Sequence, residues 1–547
     1  MHPRTFLNST VFLALASFGH LLPATADSWI DAPSLAGFDR PGVSADAPLR
    51  SGKLLPGGPV RRSSPVIADL DGNLQNGMEI VVAGADGLIH AYRSDGTLMW
   101  TSKTANYSCG SSGDRINSSP AIGDLRGTGK KQVVIGYGGF ESECNGGVAA
   151  FEGKTGRKIW DFNLAQWAKR ANFSERLYSV FSTPALSDVD RDGKLEIAFG
   201  GFDRRVYLLN SDGTVRWFLL AGDTVFASPS FTDINRDGIQ EMIAATDISE
   251  NTVIRPPTQN GGLLYALDSK QKENPLIPFP FRTNRVAKWI TPFDQVLQGS
   301  PSIADVTPRS KGVEVIQGTG CFFPEGSSNK RGKWLSILSP RTGKLIHKFK
   351  VPTCFSSTPA VGDLNEDGYK DVVITVNGDK SFGGDGISKL VAFDVKRRRQ
   401  MWVRDLKEPA SHNPFAGFFM SPVIADIDGN GSLEVLASNS RTVGVYDGKT
   451  GQILTCGDKT CSNGNPYILT TRFGGEAIVT GPTVGDVDGD GTLEVVVGTN
   501  GGGNAKSQGA LYVWTNLSGL INSAPGKHPP YYAPWPQFKG GESRRGY

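Results

Sequence analysis

Short apolar runs and turn signals alternate along the chain in one recurring pattern. A small residue and a proline precede an apolar stretch that ends in aspartate, and a glycine and an acidic residue then open a second apolar run. Alternating apolar and polar residues follow, then an Asp-Gly or Thr-Gly pair and a last run that often ends in tryptophan. Period-2 alternation between such turn signals predicts four short β-strands in each unit.

The unit occurs eight times, with a mean spacing of about 60 residues. A four-stranded sheet cannot bury both faces alone, but sheets stacked radially about an axis bury them against each other. The sequence therefore predicts an all-β protein, an eight-bladed β-propeller over residues 63–547, and seven blades with a detached unit is the alternative. The arm at 27–62 and the tail at 534–547 are the predicted closing elements of the ring. The leading aspartates of the units are Asp69, Asp124, Asp188, Asp233, Asp305, Asp363, Asp426 and Asp486.

Composition narrows the class of protein further. Glycine supplies 68 of the 547 residues, which argues against an all-helical chain because glycine destabilises helices. Lys and Arg exceed Asp and Glu by only 57 to 54, so the net charge gives no reason to expect a nucleic acid as partner.

The N-terminus has the pattern of an export signal. An apolar stretch follows a short polar start, and Ala24 and Ala26 are the small residues that precede a cleavage site, so residues 1–26 are predicted to be a cleaved signal peptide. An uncleaved membrane anchor is the alternative, but the stretch is short for a bilayer span. The mature protein is then expected to be secreted or periplasmic, with no membrane insertion.

The cysteines fit an oxidising compartment. All six lie after the predicted signal, and an even number in an exported protein favours disulfides over buried thiols. Their spacing along the chain suggests the local pairs 109–144, 321–354 and 456–461.

Carboxylate-rich loops follow the first strand of most units. Ca²⁺ takes six to eight oxygen ligands, and a tight loop with alternating acids, a glycine and a final acid supplies them. Several carboxylates in one short loop repel each other unless a cation neutralises them, and oxygen-only ligands favour Ca²⁺ over zinc or copper. The predicted ligands are Asp69, Asp71, Asn73 and Glu79 in the first unit, whose loop is two residues longer; Asp188, Asp190, Asp192 and Glu196 in the third; Asp233, Asn235, Asp237 and Glu241 in the fourth; Asp363, Asn365, Asp367 and Asp371 in the sixth; Asp426, Asp428, Asn430 and Glu434 in the seventh; and Asp486, Asp488, Asp490 and Glu494 in the eighth.

Two loops depart from this pattern. Arg126 in the second unit and Arg309 in the fifth stand where a ligand is needed, so no metal is expected in either.

These units resemble the FG-GAP repeats, also called VCBS-type repeats, of integrin α-subunit heads and many exported bacterial proteins. The resemblance covers roughly residues 63–518 and implies a calcium-loop propeller that binds other molecules, often in adhesion. The second half of each unit also resembles the blades of quinoprotein dehydrogenases, chiefly through Trp100, Trp160 and Trp217. The adjacent cysteines that those enzymes use are missing from this sequence.

Aromatic residues before the Ser-Pro or Thr-Pro starts are candidates for ligand binding. If these starts open the innermost strands, the aromatic rings approach the mouth of the central channel, where they can stack on sugar rings or partner side chains. Packing between neighbouring blades is the alternative. The candidates are Phe181, Phe226, Phe355 and Phe419.

The sequence as a whole indicates an exported, calcium-stabilised recognition or adhesion module for an extracellular or cell-envelope partner, either a protein or a glycan. Arg61 and Arg62 stand at the matching place in the first unit and are consistent with an acidic ligand, and the alternative is exposed arginines that bind nothing. We find no nucleophile or metalloprotease motif, so the protein is not expected to be an enzyme. A calcium-dependent polysaccharide lyase or hydrolase is the alternative, with a base such as His412.

Overall fold

The computed structural model describes residues 52–54, 59–104, 115–139, 145–173, 177–221, 223–250, 259–270, 286–308, 312–321, 331–380, 384–406, 420–439, 442–455, 469, 477–500, 509–515, 517 and 526–541. The predicted signal peptide, the cysteine pairs 109–144 and 456–461, His412 and Phe419 lie outside the described residues.

Strands dominate this part of the chain, as the alternating pattern predicts. The helical elements described are α1 (Leu164–Ala171) and a 3-10 turn at Leu74–Asn76. None of the described helices is long and apolar enough to cross a lipid bilayer. The strands, in chain order, are β1 (Gly52–Leu54), β2 (Val66–Ala68), β3 (Glu79–Ala83), β4 (Leu88–Tyr92), β5 (Leu98–Lys103), β6 (Ala121–Gly123), β7 (Gln132–Tyr137), β8 (Gly147–Glu152), β9 (Lys158–Asn163), β10 (Ala185–Ser187), β11 (Glu196–Gly200), β12 (Arg205–Leu209), β13 (Val215–Leu220), β14 (Ser230–Thr232), β15 (Glu241–Ala245), β16 (Ile248–Glu250), β17 (Gln259–Leu267), β18 (Ala287–Phe293), β19 (Ser302–Ala304), β20 (Glu314–Gly318), β21 (Trp334–Leu338), β22 (Leu345–Lys350), β23 (Ala360–Gly362), β24 (Asp371–Val376), β25 (Lys389–Asp394), β26 (Arg399–Asp405), β27 (Val423–Ala425), β28 (Glu434–Asn439), β29 (Thr442–Asp447), β30 (Thr483–Gly485), β31 (Glu494–Gly498) and β32 (Ala510–Trp514).

These strands form eight antiparallel sheets, one for each repeat unit. Five sheets run in simple chain order: β2 to β5, β6 to β9, β10 to β13, β19 to β22 and β23 to β26. In the fourth sheet the long strand β17 pairs with β15 and β16 along one edge and with β18 along the other. The seventh sheet has three described strands, β27 to β29. The eight-bladed propeller is confirmed, and the alternative of seven blades with a detached unit is excluded.

The ring closes where the first and the last repeats meet. Strand β1 precedes the first repeat and adds to β32, so the eighth sheet has the order β1-β32-β31-β30. The first strands of neighbouring blades also contact each other, and β30 of the last blade contacts β2 of the first. The Thr483 hydroxyl donates to the Pro65 carbonyl oxygen across this junction, at 2.8 Å. Part of the segment assigned to an N-terminal arm therefore completes the last blade.

Tryptophan and glycine join four of the described blades to the next one along the chain. An indole N–H on the outer strand donates to a carbonyl in the hairpin of the following blade, and the hairpin glycine lies against the ring. At Gly156 and Gly451, which have φ values of 68° and 70°, an added Cβ would come within 2.6 Å of the indole. This contact explains the repeated Thr-Gly and Trp signals of the sequence. The indole contacts in the described blades are Trp100 with Gly153 O (2.7 Å), Trp160 with Ser211 O (3.1 Å), Trp289 with Pro340 O (2.6 Å) and Trp402 with Gly448 O (2.8 Å).

The apolar core lies between the blades, because each sheet packs both faces against its neighbours. The strand residues that face these interfaces are almost completely buried, as at Val81, Ile197 and Val373. A disulfide joins Cys321 to Cys354, 33 residues apart in the sequence, and confirms the predicted 321–354 pair.

Residues 526–541, here called the C-terminal segment, begin on the face that carries the acidic loops. The His528 ring Nε2 lies 3.1 Å from the carbonyl oxygen of Asp363 in the sixth loop. The backbone N–H of Tyr531 donates to Oδ2 of Asp426 in the seventh loop, at 2.9 Å. The segment is thus held by two of the loops that the sequence assigns to metal binding.

The C-terminal segment then runs along the innermost strands. Trp535 forms an antiparallel bridge with Ile424 of β27, and the Val484 N–H of β30 donates to the Pro536 carbonyl oxygen at 2.7 Å. On the other side of the ring, the buried Lys539 ammonium donates to the carbonyl oxygens of Ser228 and Pro229, directly before β14. The segment therefore passes between the innermost strands and links the seventh and eighth blades with the fourth.

Candidate metal loops and channel-mouth cavity

The loop between the first and second strands has the same internal hydrogen bond in every unit. An oxygen of the last residue in the loop accepts the backbone N–H that follows the leading aspartate. The distances are 3.0 Å from Val189 N to Glu196 Oε2 and 2.7 Å from Val487 N to Glu494 Oε2. The second unit, where no metal is expected, keeps this bond with Gln132 as the acceptor. The loop shape therefore comes from the repeat itself, and the other acids decide which loops can hold a cation.

Four loops bring three carboxylates together. In each of them one oxygen from every carboxylate lies within 4.8 Å of the others, so each group could hold a metal ion. In the described loops of the fourth and sixth units no three carboxylates lie this close, since Asn235 and Asn365 replace one acid. The four groups are Asp69, Asp71 and Glu79; Asp188, Asp190 and Glu196; Asp426, Asp428 and Glu434; and Asp486, Asp488 and Glu494.

Buried oxygen atoms in these loops lack a protein partner. Among the described residues, Asp426 Oδ1, Asn365 Oδ1 and Glu494 Oε1 are buried and accept no hydrogen bond. A buried acceptor without a partner is costly, because its hydration is lost and not replaced. All three atoms are hard oxygen donors, so the residues present fit a hard divalent cation.

Burial also acts on the last acid of the loops. Burial and, to a smaller extent, the neighbouring aspartates together raise the pKa of Glu196 to about 7 and that of Glu494 to about 8. The same causes raise the pKa of Glu241 to about 7, and burial with the nearby Asp394 raises that of Asp371 to about 8. A bound cation would favour the charged carboxylates and oppose both effects.

Basic side chains already reach two of the loops. The buried Arg216 guanidinium contacts Asp190 Oδ2 of the third loop through both terminal nitrogens, each at 3.0 Å, and lies 3.7 Å from Glu196. Arg397 contacts Asp367 of the sixth loop at 2.7 Å. In the part of the chain described here, no ion pair reaches the carboxylates of the eighth loop. The acidic pattern is the same in the third and eighth loops and gives no sign of Arg216, which stands 26 residues after Asp190 on the outer strand β13 of the same blade.

A cavity of about 60 Å³ lies at the opposite end of the channel from the acidic loops. The residues directly before the first strands form its wall, and Phe538 of the C-terminal segment contributes to it from inside the channel. Phe181 and Phe226 line the cavity, with Arg62 and Gln298. The first strands are therefore innermost, as the sequence analysis assumes.

The predicted aromatic residues differ in their placement. Phe181, Phe202 and Phe226 form one cluster, with ring centroids 4.7 to 5.9 Å apart. Phe355, by contrast, is completely buried in the apolar core and lies against Gly318, so it does not line the cavity. Phe355 thus packs in the apolar core between blades, which is the alternative that the sequence left open. The sequence pattern before Ser-Pro cannot distinguish an aromatic ring that lines the cavity from one that packs between blades, because the direction of the side chain depends on its contacts with the next blade.

Hydroxyl groups form a belt around the cavity. At five of the described junctions the Ser or Thr before a proline accepts the corresponding backbone N–H of the preceding blade, so these Ser-Pro and Thr-Pro signals of the sequence tie neighbouring blades together. We define the hydroxyl belt as Ser119, Thr183, Ser228 and Ser300. Its bonds are Ser64 N to Ser119 Oγ (2.9 Å), Ser119 N to Thr183 Oγ1 (3.0 Å), Thr183 N to Ser228 Oγ (2.8 Å) and Ser228 N to Ser300 Oγ (2.9 Å).

Comparisons with known proteins agree with this architecture. The family model of the FG-GAP-like repeat matches residues 426–497, and a model described as the outer membrane protein assembly factor BamB matches residues 63–230. A search of curated proteins found no significant match.

Solved structures show the same fold at low sequence identity. Quinohemoprotein alcohol dehydrogenase from Comamonas testosteroni is 13% identical with a TM-score of 0.52, over 87% of this chain and 77% of that chain. BamB from Moraxella catarrhalis is 14% identical with a TM-score of 0.48, over 87% and 98%. A rhamnogalacturonan lyase from Bacillus licheniformis is 15% identical with a TM-score of 0.45, over 90% and 82%. At 13% identity and a TM-score of 0.52, the likeness to the alcohol dehydrogenase shows a shared fold alone. The protein is thus an eight-bladed β-propeller that carries an FG-GAP-like repeat.

Proposed function

We propose that the protein is an exported, calcium-stabilised propeller that acts as a recognition module for an extracellular or cell-envelope partner. The observation that carries this proposal is the channel-mouth cavity, where aromatic and polar side chains meet on a rigid ring. Propeller strands hold such groups in place, and concave sites of mixed polarity are where proteins usually bind ligands. The disulfide between Cys321 and Cys354 supports an oxidising compartment, either secreted or periplasmic.

Calcium has a structural role in this proposal. The acidic loops lie at the other end of the first strands from the cavity, so a bound ion would fix the strand ends without touching the ligand. All-oxygen donor sets favour Ca²⁺. In the seventh and eighth loops a bound ion would be the partner of the buried oxygens that accept no hydrogen bond from the described protein atoms.

The eighth loop tests this assignment most directly. We expect Asp488→Asn to weaken calcium binding at that loop at least tenfold, since it removes a charged ligand from a loop without a basic partner. Native mass spectrometry and calorimetric titration of the calcium-depleted protein measure the number of ions and their affinity. Arg126→Gln in the second loop is the matched control and should change neither quantity. Equal losses in both variants would show that the ligand assignment is wrong.

A binding screen tests the recognition function. The mature protein should bind one class of glycan or envelope protein on an array, and Phe226→Ala should weaken that binding at least tenfold because an exposed part of the ring lies in the cavity. Leu345→Ala, which removes an exposed apolar side chain on the outer strand β22, is the control. Binding that is unaffected by Phe226→Ala would place the ligand elsewhere on the propeller.

A polysaccharide lyase or hydrolase is the second candidate, and Asp247 is the observation that favours it. Burial, with a contribution from Asp223, raises the pKa of this carboxyl to about 7, and it accepts a hydrogen bond from Gln298 on the cavity wall. A carboxyl with such a pKa can act as an acid. Asp247 does not itself line the cavity, so recognition fits the geometry better. New reducing or unsaturated ends during the glycan screen would support the enzyme instead.

A further inference from the structure

The seventh acidic loop differs from the other carboxylate loops in how completely it is covered. Asp426 and Glu434 are completely buried, and Asp428 is only 9% exposed. In the first, third and eighth loops, by contrast, both aspartates of the carboxylate group are half-buried or exposed to solvent. The acids come from the same positions of the repeat in all four loops, so the additional cover of the seventh loop comes from outside the repeat.

The C-terminal segment provides this cover. The Tyr531 N–H donates to Asp426 Oδ2 at 2.9 Å, and the Asp426 N–H donates to the Tyr532 carbonyl oxygen at 2.8 Å. The backbone bonds further along the loop are Gly526 N to Asn430 O (3.1 Å) and His528 N to Gly431 O (2.9 Å). The segment is therefore hydrogen-bonded to the loop from its leading aspartate to its second glycine.

The Tyr531 side chain lies against the first glycine of the loop. An added Cβ at Gly429 would come within 2.5 Å of the Tyr531 ring, so the ring packs directly on this turn. The corresponding glycine of the eighth loop is Gly489, whose φ of 78° is close to the 76° of Gly429. An added Cβ at Gly489 would meet no atom closer than 3.6 Å. The two glycines therefore differ in the tyrosine contact and not in backbone conformation.

One carboxylate oxygen in the covered loop is buried without a partner. Asp426 Oδ2 accepts the N–H of Tyr531, whereas Asp426 Oδ1 accepts no hydrogen bond from the described protein atoms. Asp426 also belongs to the group whose carboxylate oxygens lie within 4.8 Å of each other. A hard divalent cation would be the missing partner of the buried oxygen. The same side chain would then hold the ion through one oxygen and the segment through the other.

We propose that the seventh acidic loop and the C-terminal segment form one closed calcium site, in which the segment covers the ion and slows its exchange with solvent. Ion binding and docking of the segment stabilise each other, because both use Asp426 and the same loop conformation. Ions in the open loops exchange directly with solvent. This inference rests on the proposed structural role of calcium, and it separates one site from the others and gives the C-terminal segment a part in it.

Release of calcium from the loaded, full-length protein tests the inference. Stopped-flow mixing with a fluorescent chelator follows the loss of every bound ion. We expect one ion to leave at least tenfold more slowly than the others, because its release requires local opening of the segment. Asp426→Asn should abolish this slow phase, which assigns it to the seventh loop.

Two matched glycine variants separate the cover from strain within a loop. Gly429→Ala and Gly489→Ala place alanine in the same left-handed backbone region, but only Gly429→Ala also forces a methyl group against the Tyr531 ring. We expect Gly429→Ala to speed the slow phase at least tenfold and Gly489→Ala to leave it unchanged. Tyr531→Ala, which alters no loop residue, should speed the slow phase as well and keeps the test decisive if Gly429→Ala fails to fold. The double variant should add little to either change, since both act on one contact.

Hydrogen exchange measures the coupling from the side of the segment. The backbone N–H groups of Gly526, His528 and Tyr531 should exchange at least tenfold faster in the calcium-free protein, because the segment undocks when the loop loses its ion. The Leu125 N–H, which donates to Gln132 in the loop where no metal is expected, is the control and should keep its rate. Unchanged exchange in the segment after confirmed loss of the ions would overturn the coupling.

The outcomes of the release experiment distinguish this inference from the proposed role of calcium. Equal release rates for all ions, or a slow phase that survives both Gly429→Ala and Tyr531→Ala, would overturn the closed site and leave the structural role intact. A slow phase that Asp426→Asn does not change would place the slowly released ion in another loop and would also overturn it. A protein that binds no calcium would refute both.

Discussion

Removing calcium from the purified protein is expected to lower its melting temperature by about 10 °C or more, because the proposed sites would bind an ion only in the folded state. One site at a free calcium concentration of about 100 times its Kd adds about 2.7 kcal/mol to the free energy of unfolding, and independent sites add their contributions. Loss of the ions also leaves the clustered carboxylates to repel each other. Differential scanning calorimetry before and after chelation, with metal content measured in parallel, gives the shift.

Re-addition of metal separates calcium from a general charge effect. Ca²⁺ should restore the original melting temperature at a low concentration, whereas Mg²⁺ should restore little, because it requires a more regular octahedral site and keeps its bound water. An unchanged melting temperature after confirmed loss of the metal would refute the structural role of the loops.

The repeat made most of the scaffold predictable from sequence. Strand alternation, the hairpin glycines and the outer-strand tryptophans are local signals, and each reports a contact that recurs from blade to blade. The packing of Gly156 against the Trp100 ring is one example, in which the hairpin turn and the tryptophan occupy fixed positions in consecutive repeats. Because these local patterns recur eight times, the sequence predicts the number of blades correctly.

Contacts between distant parts of the chain were harder to predict. Arg216 reaches the third loop from the outer strand β13, and nothing in its own surroundings in the sequence marks it. The pairing of β1 with β32 and the direction of the Phe355 side chain also depend on the assembled ring. Such features arise from packing within the folded blade or in the assembled ring, so the local sequence pattern carries no signal for them.

The C-terminal segment gives the second large expected effect. Trp535→Ala should lower the free energy of unfolding by about 3–5 kcal/mol, the usual range for removing a large buried aromatic side chain. Trp535 is only 2% exposed, and its backbone pairs with Ile424 inside the ring. Urea unfolding followed by circular dichroism measures the change in the calcium-loaded protein.

Tyr532→Ala is the matched control within the same segment. Its side chain is 41% exposed, so the expected change is within about 1 kcal/mol. Hydrogen exchange adds a local measurement, since the backbone N–H groups of Ile424 and Val484 donate to this segment and should exchange faster in Trp535→Ala. If both variants were equally stable, the segment would only cover the channel. A selective loss in Trp535→Ala would show that it holds the ring together, because the same residues bind the seventh and eighth blades on one side and the fourth on the other.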